Sequence, residues 1–187
     1  MARRLLQSKA LLLTLLPAAV LVCIIPLSPG PSPEPAAPRL PEAQQQPGYL
    51  AAEDAVLGGV AVAMTEADIR QTLGAPQAVV DEATACCGLL RQLEYPTLAI
   101  GLIKAEATAP GQVYSLQSRT AGVATAAGVT IGDSRQRLIA AYGPPHDTVV
   151  EGRQQRLAYA VEHDADRLTF TLEGGRITAI AYYALLN

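Results

Sequence analysis

The chain has no tryptophan, and Phe170 is its one phenylalanine; aromatics make up 4% of the 187 residues. Cysteine is limited to three residues and histidine to two, with no C-x-x-C pair. Without help from carboxylates that inventory cannot build a four-ligand zinc site. No G-x-S-x-G elbow is present, which removes the usual setting of an α/β-hydrolase nucleophile. Gly58-Gly59 and Gly174-Gly175 lack the spacing of a phosphate-cradling loop and read as turns. Positive charge is not in excess either. The 14 Lys and Arg stand against 17 Asp and Glu, a net charge of −3 with a pI near 5.4. That balance argues against a nucleic-acid-binding domain, which carries a basic stripe. No catalytic residue, cofactor or metal site can be assigned, and a non-enzymatic protein is expected.

What is present starts at the N-terminus. Arg3, Arg4 and Lys9 precede an apolar run over residues 10–27, and no further charge appears until Glu34. A basic segment followed by such a run is a secretory signal or a signal-anchor. Its length is at the lower end of what a membrane helix needs, and Pro17 and Pro26 interrupt it. The flanking positive charges would keep the N-terminus in the cytoplasm and place the rest outside. Three fates stay open. An uncleaved anchor is favoured by the lack of a clean A-x-A site, cleavage would fall near Ala36-Ala37, and lipidation of Cys23 would have to follow Val22, a poor neighbour for it. Residues 1–27 are therefore expected to be a signal-anchor or signal peptide that contacts the membrane through residues 10–27. An extracytoplasmic location follows, periplasmic or at the cell surface.

Residues 28–48 form a Pro-rich linker. Eight of the 14 prolines fall between Pro26 and Pro47. Such a segment buries no core and extends as polyproline II at ~3.1 Å per residue, which gives a semi-rigid spacer of up to ~70 Å.

Residues 49–187 are expected to be one α+β domain containing an internal repeat. At an offset of 69, residues 59–82 and 128–151 match at Gly59/Gly128, Val60/Val129, Gly74/Gly143, Pro76/Pro145, Val80/Val149 and Glu82/Glu151. Thr65 and Ser134 stand where hydroxyls can cap a helix. Ile69, Thr72 and Leu73, and in the second copy Leu138, Ala141 and Tyr142, follow at helical spacing. Gly74 and Gly143, with proline just beyond, supply the stops. After each helix the sequence alternates. Leu157, Tyr159 and Val161 share one face of a strand, and so do Leu168, Phe170 and Leu172. Gly174-Gly175 makes a hairpin turn into a return strand over residues 176–183. Leu93–Tyr95, then Leu98, Ile100 and Leu102, then Val113–Leu116 repeat the pattern. The expected architecture is thus two tandem helix-plus-antiparallel-meander units, about 59–120 and 128–187.

This pattern, V-x-(V/I)-x-(M/D)-(T/S), a helix, (L/Y)-G-x-P, then a meander, resembles the β-lactamase-inhibitor-protein fold. A single unit of similar kind makes the small lipoprotein of the outer-membrane β-barrel assembly machine. The resemblance covers Gly59 to about Tyr183 and rests on turns and caps, so it transfers no contact residues. It implies protein binding outside the cytoplasm. A membrane-tethered binding or scaffolding domain for envelope proteins is the leading expectation. The alternatives are a secreted inhibitor or sensor of an extracytoplasmic enzyme, and a thiol-redox protein using Cys86-Cys87.

Those adjacent cysteines could form a vicinal disulfide, remain as structural thiols or bind a soft metal. His146 stands just before Asp147. His163, with Glu162, Asp164 and Asp166, has neither the glycine nor the regular oxygen spacing of a hard-cation loop and reads as a turn. The expected docking surface is the open face of the sheet. With an unbroken register around Gly174-Gly175, Arg167, Thr169, Thr171, Thr178, Ile180 and Tyr182 share that face, joined by Tyr114 and Leu116.

Overall fold

A computed structural model describes residues 48–85, 88–161 and 166–185. The segment 10–27, the linker up to residue 47, Cys86-Cys87 and the Glu162–His163–Asp164 turn lie outside the described residues. No helix among the described residues is long and apolar enough to cross a membrane.

Among the described residues the fold is α+β, mostly sheet with two helices. A short strand β1 (Tyr49–Leu50) leads through a 3-10 turn to the small hairpin β2 (Val56–Leu57) and β3 (Val60–Ala61). Helix α1 (Glu66–Leu73) follows, then the meander β4 (Ala78–Thr84), β5 (Gly88–Glu94), β6 (Ala99–Lys104) and β7 (Gln112–Ser118). Helix α2 (Arg135–Tyr142) is likewise followed by β8 (Asp147–Glu151), β9 (Gln154–Val161), β10 (Asp166–Glu173) and β11 (Arg176–Tyr183). The meanders join through antiparallel β7 and β11, so that one nine-stranded sheet runs β1/β8-β9-β10-β11-β7-β6-β5-β4. β1 is parallel to β9 and occupies the stretch of its edge that β8 leaves open.

Local chemistry explains the helix ends. The Thr65 hydroxyl accepts from the Asp68 N–H, and the Asp68 carboxylate accepts from the Thr65 N–H at 3.0 Å, a reciprocal cap. Ser134 accepts from the Arg137 N–H at 3.1 Å. Gly74 (φ 81°, ψ −160°) and Gly143 (φ 76°, ψ −167°) end the helices in a region that only glycine adopts without strain. Each then receives a tyrosine from the sheet. The Tyr95 hydroxyl donates to the Gly74 carbonyl at 3.1 Å and the Tyr159 hydroxyl to the Gly143 carbonyl at 2.9 Å. A Cβ at either glycine would meet no atom within 4 Å, so substitution tests backbone strain alone. Gly74→Val and Gly143→Val should each lower stability by about 1–3 kcal/mol, read as an earlier denaturation midpoint. An unchanged midpoint would place the helix end elsewhere.

Both helices pack on one face of the sheet. Ile69 of α1 and Leu138, Ala141 and Tyr142 of α2 join a core with Leu93, Ile100, Leu116, Leu157, Tyr159, Leu168 and Phe170. The rings of Tyr142, Tyr159 and Phe170 lie with centroids 5.5–5.9 Å apart.

The register of the last hairpin differs from the unbroken one. Leu172 faces Ile177, but Thr171 faces Ala179, Phe170 faces Ile180 and Leu168 faces Tyr182. Thr178 is the extra residue of a β-bulge, and its hydroxyl donates to the Thr171 carbonyl at 3.2 Å. A one-residue slip turns every later side chain over. Ile180 and Tyr182 thereby enter the core, 0% and 2% exposed, while Ala179 and Ala181 turn to the open face. Leu116 is also core, paired with Ile100 and Tyr182. Burying isoleucine and tyrosine in place of two alanines gains apolar area, which favours the bulge.

Candidate functional site

The sheet face away from the helices is made of small residues. Cross-strand pairing sets Ala158, Thr169, Ala181, Gln117 and Ala99 in one row. The next row carries Ala160, Arg167, Tyr183, Ser115 and Gly101. On the other side lie Val149, Arg156, Thr171 and Ala179. The large apolar side chains of β9, β10 and β7, with Ile177, Ile180 and Tyr182 of β11, point to the core, so the open face is low at its centre and raised by arginines and Tyr183 at its rim.

Three adjoining depressions result. One of ≈ 500 Å³ is bordered by Arg119, Glu151, Arg156, Thr171, Glu173 and Thr178. A second, ≈ 230 Å³, lies between Arg119, Arg156, Thr169 and Tyr183. The third, ≈ 300 Å³, is lined by Arg156, Arg167, Thr169, Tyr183 and Leu185. Arg156 borders all three. Its guanidinium donates to Glu151 Oε2 at 3.2 Å, both side chains half or more exposed. Arg153 approaches Glu173 at 3.8 Å on the outer rim. Arg167 donates to the Asp166 carbonyl at 3.0 Å. Arg119 makes no ion pair or hydrogen bond among the described residues.

The residues expected on the docking face therefore separate. Thr169, Thr171 and Thr178 border the depressions. Tyr114 also lies on the open side, at a second bulge, and its ring covers Gly101 so closely that a Cβ there would fall 2.6 Å from it. Leu116, Ile180 and Tyr182 do not belong to this face. The Tyr182 hydroxyl donates to Asp166, which also accepts the Leu185 N–H at 3.1 Å, so Asp166 holds the C-terminal end of the sheet. His146 is structural. The Tyr49 ring packs edge-on against it at 5.1 Å, and Gly48 crosses so near that a Cβ would lie 2.4 Å from its Cα. No group of three or more His, Cys, Asp or Glu among the described residues could hold a metal ion. The sequence reading sets Arg167 on this face beside the threonines but misses Arg119 and Arg156. The alternation that buries Leu157 and Tyr159 also turns Arg156 outward, and that signal was available.

A second charged cluster sits on the helix side of the first meander. Glu66 accepts from Lys104, Arg91 and Arg70 at 2.8, 3.1 and 2.9 Å, and Arg91 also holds Asp81 at 2.7 Å. Every group in it has an internal partner.

No family model matches the chain, and no curated protein matches it. Among solved structures it is similar to a DUF4309 family protein from Bacillus subtilis, at 12% identity and a TM-score of 0.39, over 64% of this chain and 78% of that one. It is also similar to an extracellular protein containing an SCP domain from Bacillus anthracis, at 9% identity and a TM-score of 0.40, over 66% of this chain and 44% of that one. A beta-lactamase-inhibitor-like protein from Streptococcus mutans matches at 10% identity and a TM-score of 0.26, over 66% of this chain and 84% of that one.

Proposed function

We propose that this chain is a non-catalytic, extracytoplasmic protein-binding domain, held at the membrane through residues 10–27, whose partner docks on the open face of the second meander. The observation that carries the proposal is that, among the described residues, no helix packs on this face. Both helices pack on the opposite side, leaving a floor of alanine and threonine rimmed by Tyr183, which is 45% exposed, and by arginines. Tyrosine and arginine are the residues most often found as interface anchors. The basic N-terminal segment, its apolar run and the Pro-rich spacer supply the tether and its reach. Two tandem units built on one plan, with a matched cap and stop in each, make the paired meanders that give the face its width.

Site-specific photo-crosslinking in intact cells tests this. A crosslinker at Thr169 should give a discrete adduct with another protein, while one at Ala140, on the exposed side of α2, should not. The same adduct from both positions, or none from Thr169, would overturn the docking face. Cell fractionation addresses the tether: recovery with the membrane is expected. A mature chain beginning after residue 30 and found wholly in the soluble fraction would replace it with a secreted inhibitor or sensor.

A further inference from the structure

We infer that the partner presents a carboxylate-rich, extended protein segment to this face, with Arg119, Arg156 and Arg167 as its ion-pairing sites; the inference rests on the open-face reading above. Strand pairing fixes where the three arginines stand. Arg156 is level with Thr171 and Ala179. Because Ser118 faces Ile180, the next residue, Arg119, comes level with Ala179 in the same row. β9 and β7 are three strands apart, so these two arginines flank the trough at about 14 Å, at ~4.8 Å per strand. Arg167 is four residues from Thr171 along β10, about 14 Å at ~3.4 Å per residue. Thr169, Thr171 and Ala179 fill the ground between, and none of them offers a pocket for a large apolar anchor.

Guanidinium forks bind carboxylates in a planar, two-point geometry. A separation of ~14 Å matches residues i and i+4 of an extended chain, whose side chains also project to one side. A single inorganic phosphate is too small to engage all three sites from one position. Arg156 can also be reached at small cost. The Arg156–Glu151 pair is exposed on both sides, and such pairs contribute only ~0–1 kcal/mol, so a partner carboxylate can take over the Glu151 position. Asp147, Glu151 and Glu173 lie toward β8 and the hairpin turns. They direct an acidic segment across β10, β11 and β7 instead.

An anionic membrane surface is the other source of negative charge, and the geometry disfavours it. A flat bilayer cannot enter a concave trough. Polybasic patches that hold anionic lipid also cluster about 4–8 Lys or Arg, whereas this trough has three arginines interspersed with Glu151 and Glu173.

The test uses the full chain in neutral-detergent micelles and a fluorescent deca-glutamate peptide, followed by anisotropy. Saturable binding that weakens steadily with added salt is expected, with none for deca-lysine. An Arg119→Gln/Arg156→Gln double variant should bind at least tenfold more weakly with an unchanged melting temperature. Three results would overturn the inference: no saturable deca-glutamate binding, equal binding by the double variant, or uptake by phosphatidylglycerol vesicles without peptide binding. Displacement of the peptide by equimolar inorganic phosphate would also overturn it, by showing a single-anion site. Crosslinking from Thr169 separates this failure from that of the parent reading. An adduct that persists in the double variant keeps the docking face and removes the acidic segment, whereas no adduct in either protein removes the docking face.

Discussion

Tyr182→Ala is expected to destabilise the domain by about 3–5 kcal/mol, the range for removing a large buried ring. Most domains have only ~5–15 kcal/mol in total. The ring is 2% exposed, packed between Leu168 and Leu116 on the neighbouring strands. Its hydroxyl donates to Asp166, the residue that also fixes the Leu185 N–H. Alanine would leave a cavity and deprive a carboxylate of a charge-assisted donor. Tyr182→Phe divides the two contributions, since it keeps the ring and loses only the hydrogen bond, at about 1–3 kcal/mol. Chemical denaturation of both variants, followed by circular dichroism, checks this. A Tyr182→Ala protein with an unchanged midpoint but weakened partner binding would restore the unbroken register and return Tyr182 to the docking face.

That register shows where sequence reasoning stops. Helix caps are legible because their chemistry is local. Thr65 and Asp68 are three residues apart, and the glycine after each helix needs only its own backbone conformation. The alternation in β9 and β10 is equally plain. Thr178 is different: nothing in R-I-T-A-I-A-Y-Y says that one residue will be left out of the pairing. The bulge is decided by what Ile180 and Tyr182 gain against Leu116, Leu168 and Phe170, and much of that gain comes from another strand. β4 and β8 escaped notice for a related reason. Their residues are exposed almost throughout, so A-V-V-D-E-A-T and D-T-V-V-E carry no alternating pattern. Most of the arginine rim was hidden by topology, because Arg119 and Arg156 join Arg167 on one face only once the order β9-β10-β11-β7 is known. Of the expected face, Thr169 and Thr171 turn away from the core by alternation within β10 alone, whereas Thr178 is the bulge residue of β11.

The helix-side ion cluster is the other place where a single substitution should have a large effect. Burial would raise the Glu66 carboxyl, but hydrogen bonds from Lys104, Arg70 and Arg91 outweigh it and hold the group at about 2 instead of 4.5. Lys104 is 5% exposed and Arg91 16%, measured on their side chains, so both are poorly hydrated and depend on this carboxylate. Asp81 compensates Arg91 from the outer strand, with its own carboxyl lowered mainly by the Arg91 hydrogen bonds. Lys104 has no such second anion among the described ion pairs. Glu66→Gln therefore leaves a buried ammonium with no carboxylate in contact and only the more distant charge of Asp81, and the expected loss is about 3 kcal/mol, the lower end for breaking a buried pair. The pH dependence has a definite sign. A carboxyl whose folded value lies below its unfolded one contributes fully above the unfolded value and loses that contribution as pH falls through the folded one. Wild-type stability owed to Glu66 should thus be complete above pH 4.5 and fade toward pH 2. Denaturation curves of wild type and Glu66→Gln should be well separated at neutral pH and converge near pH 2. A gap that stays constant over this range would mean that Glu66 acts through packing and not through charge. A Glu66→Gln/Lys104→Met double variant completes the argument, because it removes the stranded ammonium along with the carboxylate. It should recover most of the loss at neutral pH, since well-packed apolar replacements of buried ion pairs are often neutral. If it instead falls as far as Glu66→Gln alone, Arg91 and Arg70, not Lys104, are the cations that make Glu66 indispensable.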